Sequence, residues 1–125
     1  DDGVTSICDA VVNNKDTKLT ALDVRDNEFG PTGGKSVAAM LAVTTSLTTV
    51  NLLLNNLDKE AASMLINIAQ ERQLSLCGIA PNQTDATFFG WGLKPIDAIL
   101  IAHDLGVRAS LTVADLRYNQ LDINS

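Results

Sequence analysis

Apolar and polar positions follow one phrase that recurs along this chain. It reads L-x-x-ϕ-x-ϕ-x-x-N-x-ϕ, with ϕ apolar, and starts at Leu19 (LTALDVRDNEF), Leu47 (LTTVNLLLNNL) and Leu111 (LTVADLRYNQL), so that the second and third copies lie 28 and 92 residues after the first. Such self-similarity at a fixed spacing decides architecture before any local motif does. Within each phrase the ϕ-x-ϕ step has the period of a strand, which predicts short strands at about 22–24, 50–52 and 114–116. Between the phrases the apolar period changes to that of a helix. It predicts helices over 3–13 (Ile7, Cys8, Val11 and Val12 in a stripe), 35–43 (Val37, Ala38 and Leu41 inward), 59–70 (Ala62, Leu65, Ile66 and Ala69 on one face) and 96–105 (Ile101, Ala102 and Leu105 inward). Asn27, Gly30, Pro31, Gly33 and Gly34 read as a turn-rich loop before the second helix.

The middle is irregular. Leu74 and Leu76 fit a third strand, but Ile79 stands where the phrase has Asn, and Gly78, Pro81 and Asn82 lead into a loop with no helix. A further strand at about 86–88 follows only 12 residues after the third. The segment TFFGWGLKP aligns with DVRDNEFGP at an offset of 64, which puts Trp91 at the Asn position and Pro95 over Pro31.

A three-residue strand cannot bury its leucines alone. A helix on the return path covers one side, parallel strands need such a crossover, and stacked units merge their apolar positions into one core. At 125 residues this makes one domain, 1–125, of about four units, irregular at 73–92. The chain begins on a helix with no strand before it and stops at Ile123-Asn124-Ser125 without a covering helix. Because arrays need polar caps, that reads as a piece of a longer array, or as ends that pack on partners.

The phrase resembles leucine-rich repeat proteins of the ribonuclease-inhibitor-like subclass, carried here by Leu19, Leu22, Val24, Asn27 and Phe29; Leu47, Val50, Leu52, Asn55 and Leu57; and Leu111, Ala114, Leu116, Asn119 and Leu121. The resemblance implies an α/β fold. It would be a right-handed solenoid with a short parallel sheet on its concave face, helices on its convex face, and Asn27, Asn55 and Asn119 laddered along the turns to satisfy backbone groups. It says little about function, which resides in sites grafted on a fold.

Charge narrows the partners. A net charge of −6 disfavours nucleic acid and anionic membrane, both of which call for a basic footprint, and no stretch reaches the length of a membrane span. Cys8 and Cys77 make no disulfide framework and read as buried free thiols, which leans toward an intracellular setting. The Asn82-Gln83-Thr84 sequon leans the other way. Gly30–Ser36 (GPTGGKS) sits between a strand and a helix as a nucleotide loop would. However, Phe29 occupies the place of its first glycine, and the loop is one residue short if counted from Gly30. His103, the only histidine, aligns with Ala39 on the outer side of a helix, and no base or nucleophile partner is indicated. No cofactor is implied, and the chain reads as a non-enzyme.

The concave face remains. Its outward columns read Asp23, Asn51, Ser75, Thr87, Asp115, then Arg25, Leu53, Cys77, Phe89, Arg117, then Asp26, Leu54, Gly78, Gly90, Tyr118. Leu53, Leu54 and Phe89, with Trp91 nearby, would form an apolar centre rimmed by Asp and Arg, which is the anatomy of a protein interface. Alternatively, the 78–85 loop folds over them, and Asp23/Arg25 with Asp115/Arg117 form a charge ladder across strands. The partner surface expected from sequence is therefore Asp23, Arg25, Asn51, Leu53, Leu54, Phe89, Trp91, Asp115, Arg117 and Tyr118, and the expected role is protein recognition or scaffolding. The alternatives are a structural subunit held through its ends and helices, and a nucleotide binder at Gly30–Ser36.

Overall fold

A computed structural model describes residues 2–122, and the Ile123-Asn124-Ser125 end lies outside them. Helices and short strands alternate along it: α1 (Asp2–Asn13), β1 (Ala21–Asp23), α2 (Gly30–Val43), β2 (Thr49–Asn51), α3 (Lys59–Arg72), β3 (Asp85–Thr87), α4 (Pro95–Val107) and β4 (Val113–Asp115). Each strand begins one residue before its expected position. α2 begins five residues before the expected Lys35. Pro31 falls in its first turn, where a missing N–H costs nothing. Gly33 and Gly34 are buried inside the helix, where they are packing residues: a Cβ would lie 2.6 Å from Phe29 Cβ at Gly33, and 2.7 Å from Leu57 Cδ2 and 3.3 Å from Ala61 Cβ at Gly34. Gly34 therefore lets α2 approach α3, and Gly33 makes room for the Phe29 ring at the start of α2.

Two βαβ units organise the chain. β1 pairs in parallel with β2 (Ala21 opposite Thr49), and β3 pairs in parallel with β4 (Asp85 opposite Val113). The second unit repeats the first at an offset of 64, since 85 − 21 = 113 − 49 = 64. Residues 74–76 add a third line to the first sheet: Val50 N–H donates to Ser75 O, Leu52 N–H to Leu76 O and Ser75 N–H to Thr48 O. The strands thus fall into two sheets, where the sequence suggested a single one.

The sheet stops at the third line because α4 seals its edge. Asp104, fully buried, accepts from Leu76 N–H at 2.8 Å, Cys77 N–H at 3.1 Å and the Ser75 hydroxyl. These are edge groups that a fourth strand would otherwise take. Beside it His103 Nε2 bonds Leu74 O at 2.8 Å, and Arg108 donates to the carbonyls of Ile79, Gln73 and Thr48. His103, expected on the outer side, is therefore buried, and Ala102 and Leu105, expected inward, are exposed. The rotation has a plain cause. This helix faces backbone donors and acceptors as well as apolar side chains, and unpaired buried backbone groups cost more than an exposed leucine. α4 also packs on α3, and α3 on α2. The core between helices and strands is aliphatic, with Val37, Met40, Leu41, Val50, Leu52, Leu65, Leu74, Leu76 and Leu100 fully buried. Each such side chain contributes roughly 1.5–3 kcal/mol.

Arg72 ends α3 as Arg108 ends α4, donating to the carbonyls of Leu41, Thr44 and Leu47. α1 covers the other end of the helical layer against α2, burying Val4 and Cys8 and leaving Ile7 exposed.

Candidate functional site

The residue two before the central outward position has one job in several lines. Asp23 Oδ1 accepts from Arg25 N–H, Asn51 Oδ1 from Leu53 N–H, Ser75 Oγ from Cys77 N–H and Asp115 Oδ1 from Arg117 N–H. The carboxylates thus close turns within their own strands and do not form a ladder across strands. Arg25 and Arg117 fold back on the same partners, at 3.9 Å from Asp23 and 2.9 Å from Asp115. The hydrogen bonds from Arg117 hold the Asp115 carboxyl below the usual carboxylate range, and Asp115 in turn raises Arg117.

The next position of each line turns into left-handed backbone: φ is +58° at Asp26, +62° at Leu54, +67° at Gly90 and +60° at Tyr118. Glycine takes this conformation freely, whereas another residue pays about 1–2 kcal/mol. Asparagine then stitches successive turns. Asn55 Oδ1 accepts from Asn27 N–H at 2.8 Å, and Asn55 Nδ2 donates to Val24 O and Leu52 O. In the second unit Asn119 Oδ1 accepts from Leu93 N–H at 3.0 Å, and its Nδ2 donates to Phe88 O and Leu116 O. Asn27 Nδ2 donates to Val24 O and Arg25 O. The residue beneath Asn119 is thus Leu93, through its backbone. Trp91, expected at that position, is displaced from it at unchanged chain length, its own N–H donating to Phe88 O at 3.2 Å.

That displacement puts Trp91 on the first unit. Arg25 Cζ lies 4.3 Å from the Trp91 ring centroid, and Phe88 meets the same ring edge-on at 5.0 Å. Leu54 lies beside them, and Arg25, Asp26, Leu54 and Trp91 line a hollow of about 240 Å³. Asp97, at the start of α4, accepts from Leu54 N–H at 3.0 Å. The second unit and the turn at Gly78 therefore lie over the centre of the first sheet. Leu53, expected to face solvent, is fully buried, Asn51 is 6% exposed, and Leu54 is half-buried.

Four of the five aromatics gather on this side of the molecule. Beyond the covered centre, Phe89 stands 47% exposed and Tyr118 79% exposed, their rings edge-to-face at 5.2 Å, with Arg117 Cζ 5.1 Å from the Phe89 centroid. Of the expected surface, the structure brings together Phe89, Tyr118, Arg117 and Asp115 as one patch, and Arg25, Trp91, Leu54 and Asp23 as another. Asn51 and Leu53 belong to the interior.

Other candidate chemistry dissolves into packing. Gly30–Ser36 is helical: Ser36 Oγ bonds Thr5 Oγ1 at 2.8 Å, Lys35 pairs with Glu60 at 3.5 Å, and no loop is left to wrap a phosphate. Ser75, His103 and Asp104 lie close together, but the Ser75 hydroxyl donates to Asp104 while Oγ accepts from Cys77 and Ile79 N–H, in full burial. A serine so committed has no lone pair aimed at a substrate. Cys77 is buried too, and burial, then the neighbouring Asp104, pushes its thiol well up, away from the thiolate that reactivity needs. Cys8 is likewise buried and raised. No described helix is long and apolar enough to cross a membrane.

A leucine-rich repeat family model matches residues 15–38, which hold β1, its turn and the first part of α2. This supports a leucine-rich repeat protein, and the four helices with short parallel strands fit a fold of that type. Leucine-rich repeats are a common protein–protein interaction module and are generally non-enzymatic. No curated protein matches the chain.

Proposed function

We propose that the chain is a protein-recognition module of the ribonuclease-inhibitor-like kind, its units winding as a right-handed solenoid. The subclass is supported by the 28-residue offset and the helical return between the first two phrases, and the hand by the strong right-handed preference of parallel βαβ crossovers. The recognition surface is the patch of Phe89, Tyr118, Arg117 and Asp115, extended by Arg25 and Trp91.

One observation carries the reading. Tyr118 is a large aromatic, 79% exposed, held at φ +60°, and it rests on a second exposed aromatic, Phe89. At the matching position of the second unit's other strand the chain uses Gly90, which has no such cost. A strained, solvent-facing tyrosine beside arginine supports a role in binding, because Tyr, Trp and Arg dominate interface hot spots.

The test is capture from the native source with wild type, Phe89→Asp and the distant Val43→Asp, followed by affinity measurement on the purified partner. The Phe89 variant should bind at least about thirtyfold more weakly, with circular dichroism unchanged and the Val43 variant unaffected. Equal affinity of all three chains would overturn the assignment.

A further inference from the structure

A polar groove lies between the two sheets. It holds about 210 Å³ and is lined by Asp23, Arg25 and Asn51 from the first unit, and by Gln83, Thr87 and Trp91 from the loop and the second unit. This is the volume of one or two side chains.

Asn51 is the informative residue. It is 6% exposed, its Oδ1 is fixed as the oxygen by the bond from Leu53 N–H at 3.2 Å, and its Nδ2 is thereby turned away as a donor. Among the described residues that Oδ1 bond is the one hydrogen bond its side chain makes. A nine-tenths-buried amide that keeps a free donor toward a groove is poised for an acceptor from outside. Gln83, the other amide of the wall, is already committed: Oε1 accepts from Ala80 N–H and Nε2 donates to Asp85 O. Arg25 supplies further donors. Its guanidinium lies over the Trp91 ring, and its one ion pair, from Nε at 3.9 Å, leaves the outer nitrogens unclaimed.

We infer that this groove receives a single carboxylate of the protein partner, with one oxygen on Asn51 Nδ2 and the other on the Arg25 guanidinium. Charge-assisted bonds to two preset donors favour a carboxylate over a neutral carbonyl. Asp23 in the same wall disfavours a dianion such as phosphate. The inference rests on the recognition reading above and deepens it, since it names the chemistry the partner must bring.

Nitrogen–proton NMR on the full chain tests it, with three peptides at about 10 mM, a range suited to weak subsites: a capped Gly-Gly-Glu-Gly-Gly, its Gln counterpart, and a triglycine acetylated at its amino end with a free carboxyl terminus. The Asn51 side-chain and Trp91 indole signals should move with the glutamate peptide, the free terminus, or both, which separates a side-chain from a terminal source. They should move at least about tenfold less with the glutamine peptide. Asn51→Asp keeps the acceptor for Leu53 N–H, as Asp23 and Asp115 do in their own lines, but reverses the donor, and should abolish the shifts. Arg25→Gln, at an exposed position, should do the same and covers the case in which the first variant does not fold.

Equal shifts for Glu and Gln, shifts that survive in both variants, or no shift with any peptide would overturn the inference. Failure here with loss of partner binding in Phe89→Asp intact would leave the recognition surface standing without a carboxylate subsite.

Discussion

Replacing Asp104 by alanine removes the acceptor that ends the first sheet. Leu76 N–H loses its partner, and the Ser75 hydroxyl loses the carboxylate it donates to. Cys77 N–H keeps Ser75 Oγ at 3.2 Å and suffers little. Two orphaned buried donors cost about 1–3 kcal/mol each, and removing a buried carboxylate recovers part of its desolvation cost, so the net loss is about 2–4 kcal/mol. In Asp104→Asn the amide oxygen would still accept from Leu76 N–H, while the amide N–H would oppose that of Cys77. This variant should therefore lose less, about 1–2 kcal/mol.

Urea unfolding followed by circular dichroism measures both, and a loss under about 0.5 kcal/mol for Asp104→Ala would refute the sheet-edge account. The same position has a pH signature. Burial pushes the Asp104 carboxyl above its usual value of 3.8, against the opposing hydrogen bonds from Ser75, Leu76 and Cys77. The folded chain then binds more protons than the unfolded chain above that value. Stability contributed by this group is fully present below 3.8 and is lost as pH rises through the folded pKa. The advantage of wild type over Asp104→Asn should therefore shrink as pH rises above 3.8, and an advantage that grows with rising pH would show the opposite sign of shift.

Asn55→Ala removes the acceptor of Asn27 N–H and the donor to Val24 O and Leu52 O, and should cost about 2–3 kcal/mol in the same unfolding assay; a change within noise would mean water replaces the ladder. Tyr118→Gly should hold or raise the melting temperature, since relief of left-handed strain of about 1 kcal/mol offsets the added chain entropy, while partner affinity falls. Stability and affinity falling together would remove the case for functional strain. Gly34→Ala should lower stability by about 1 kcal/mol, because overpacking against Leu57 and Ala61 outweighs the gain in helix propensity, and a stabilised variant would show that α2 and α3 can part without cost.

The repeat phrase made the strands and most helices legible, because ϕ-x-ϕ has meaning only in a strand whose leucines must be buried. The start of α2 was not legible: Gly-Pro-x-Gly-Gly carries every local sign of a loop, and the close packing of Gly33 on Phe29 and of Gly34 on Leu57 and Ala61 shows only in space. The burial of Leu53 and Asn51 was hidden for a similar reason. Alternation along a strand says which residues share a face, but whether that face is covered depends on Asp97 and Trp91, far along the chain. His103 misled because Ala39, its counterpart at the offset of 64, faces solvent. Two polar residues in succession on a helix give no hint that the surface beneath is a strand edge. Phe89 and Tyr118 were legible as surface, since both stand in outward columns at a place where no described residue returns to cover them.

The turn-closing column shows how burial shapes chemistry at fixed geometry. The outer strands β1 and β4 use Asp, each followed two residues later by an Arg that folds back on it. There solvent screens the pair, and the ionised acceptor is easily tolerated. In β2, under the second unit, the same N–H is met by Asn51, and in the third line by Ser75. Both supply an acceptor without a charge, where an ionised group would carry a desolvation cost that the exposed strands do not impose. Neutral replacement has a consequence that the aspartates lack. A carboxylate that closes the turn offers only acceptors, whereas an amide in the same pose must turn its N–H groups the other way. At Asn51 the other way is the groove. The demand for an uncharged turn at a covered position thus creates, as a by-product of backbone geometry, the donor on which the carboxylate subsite depends.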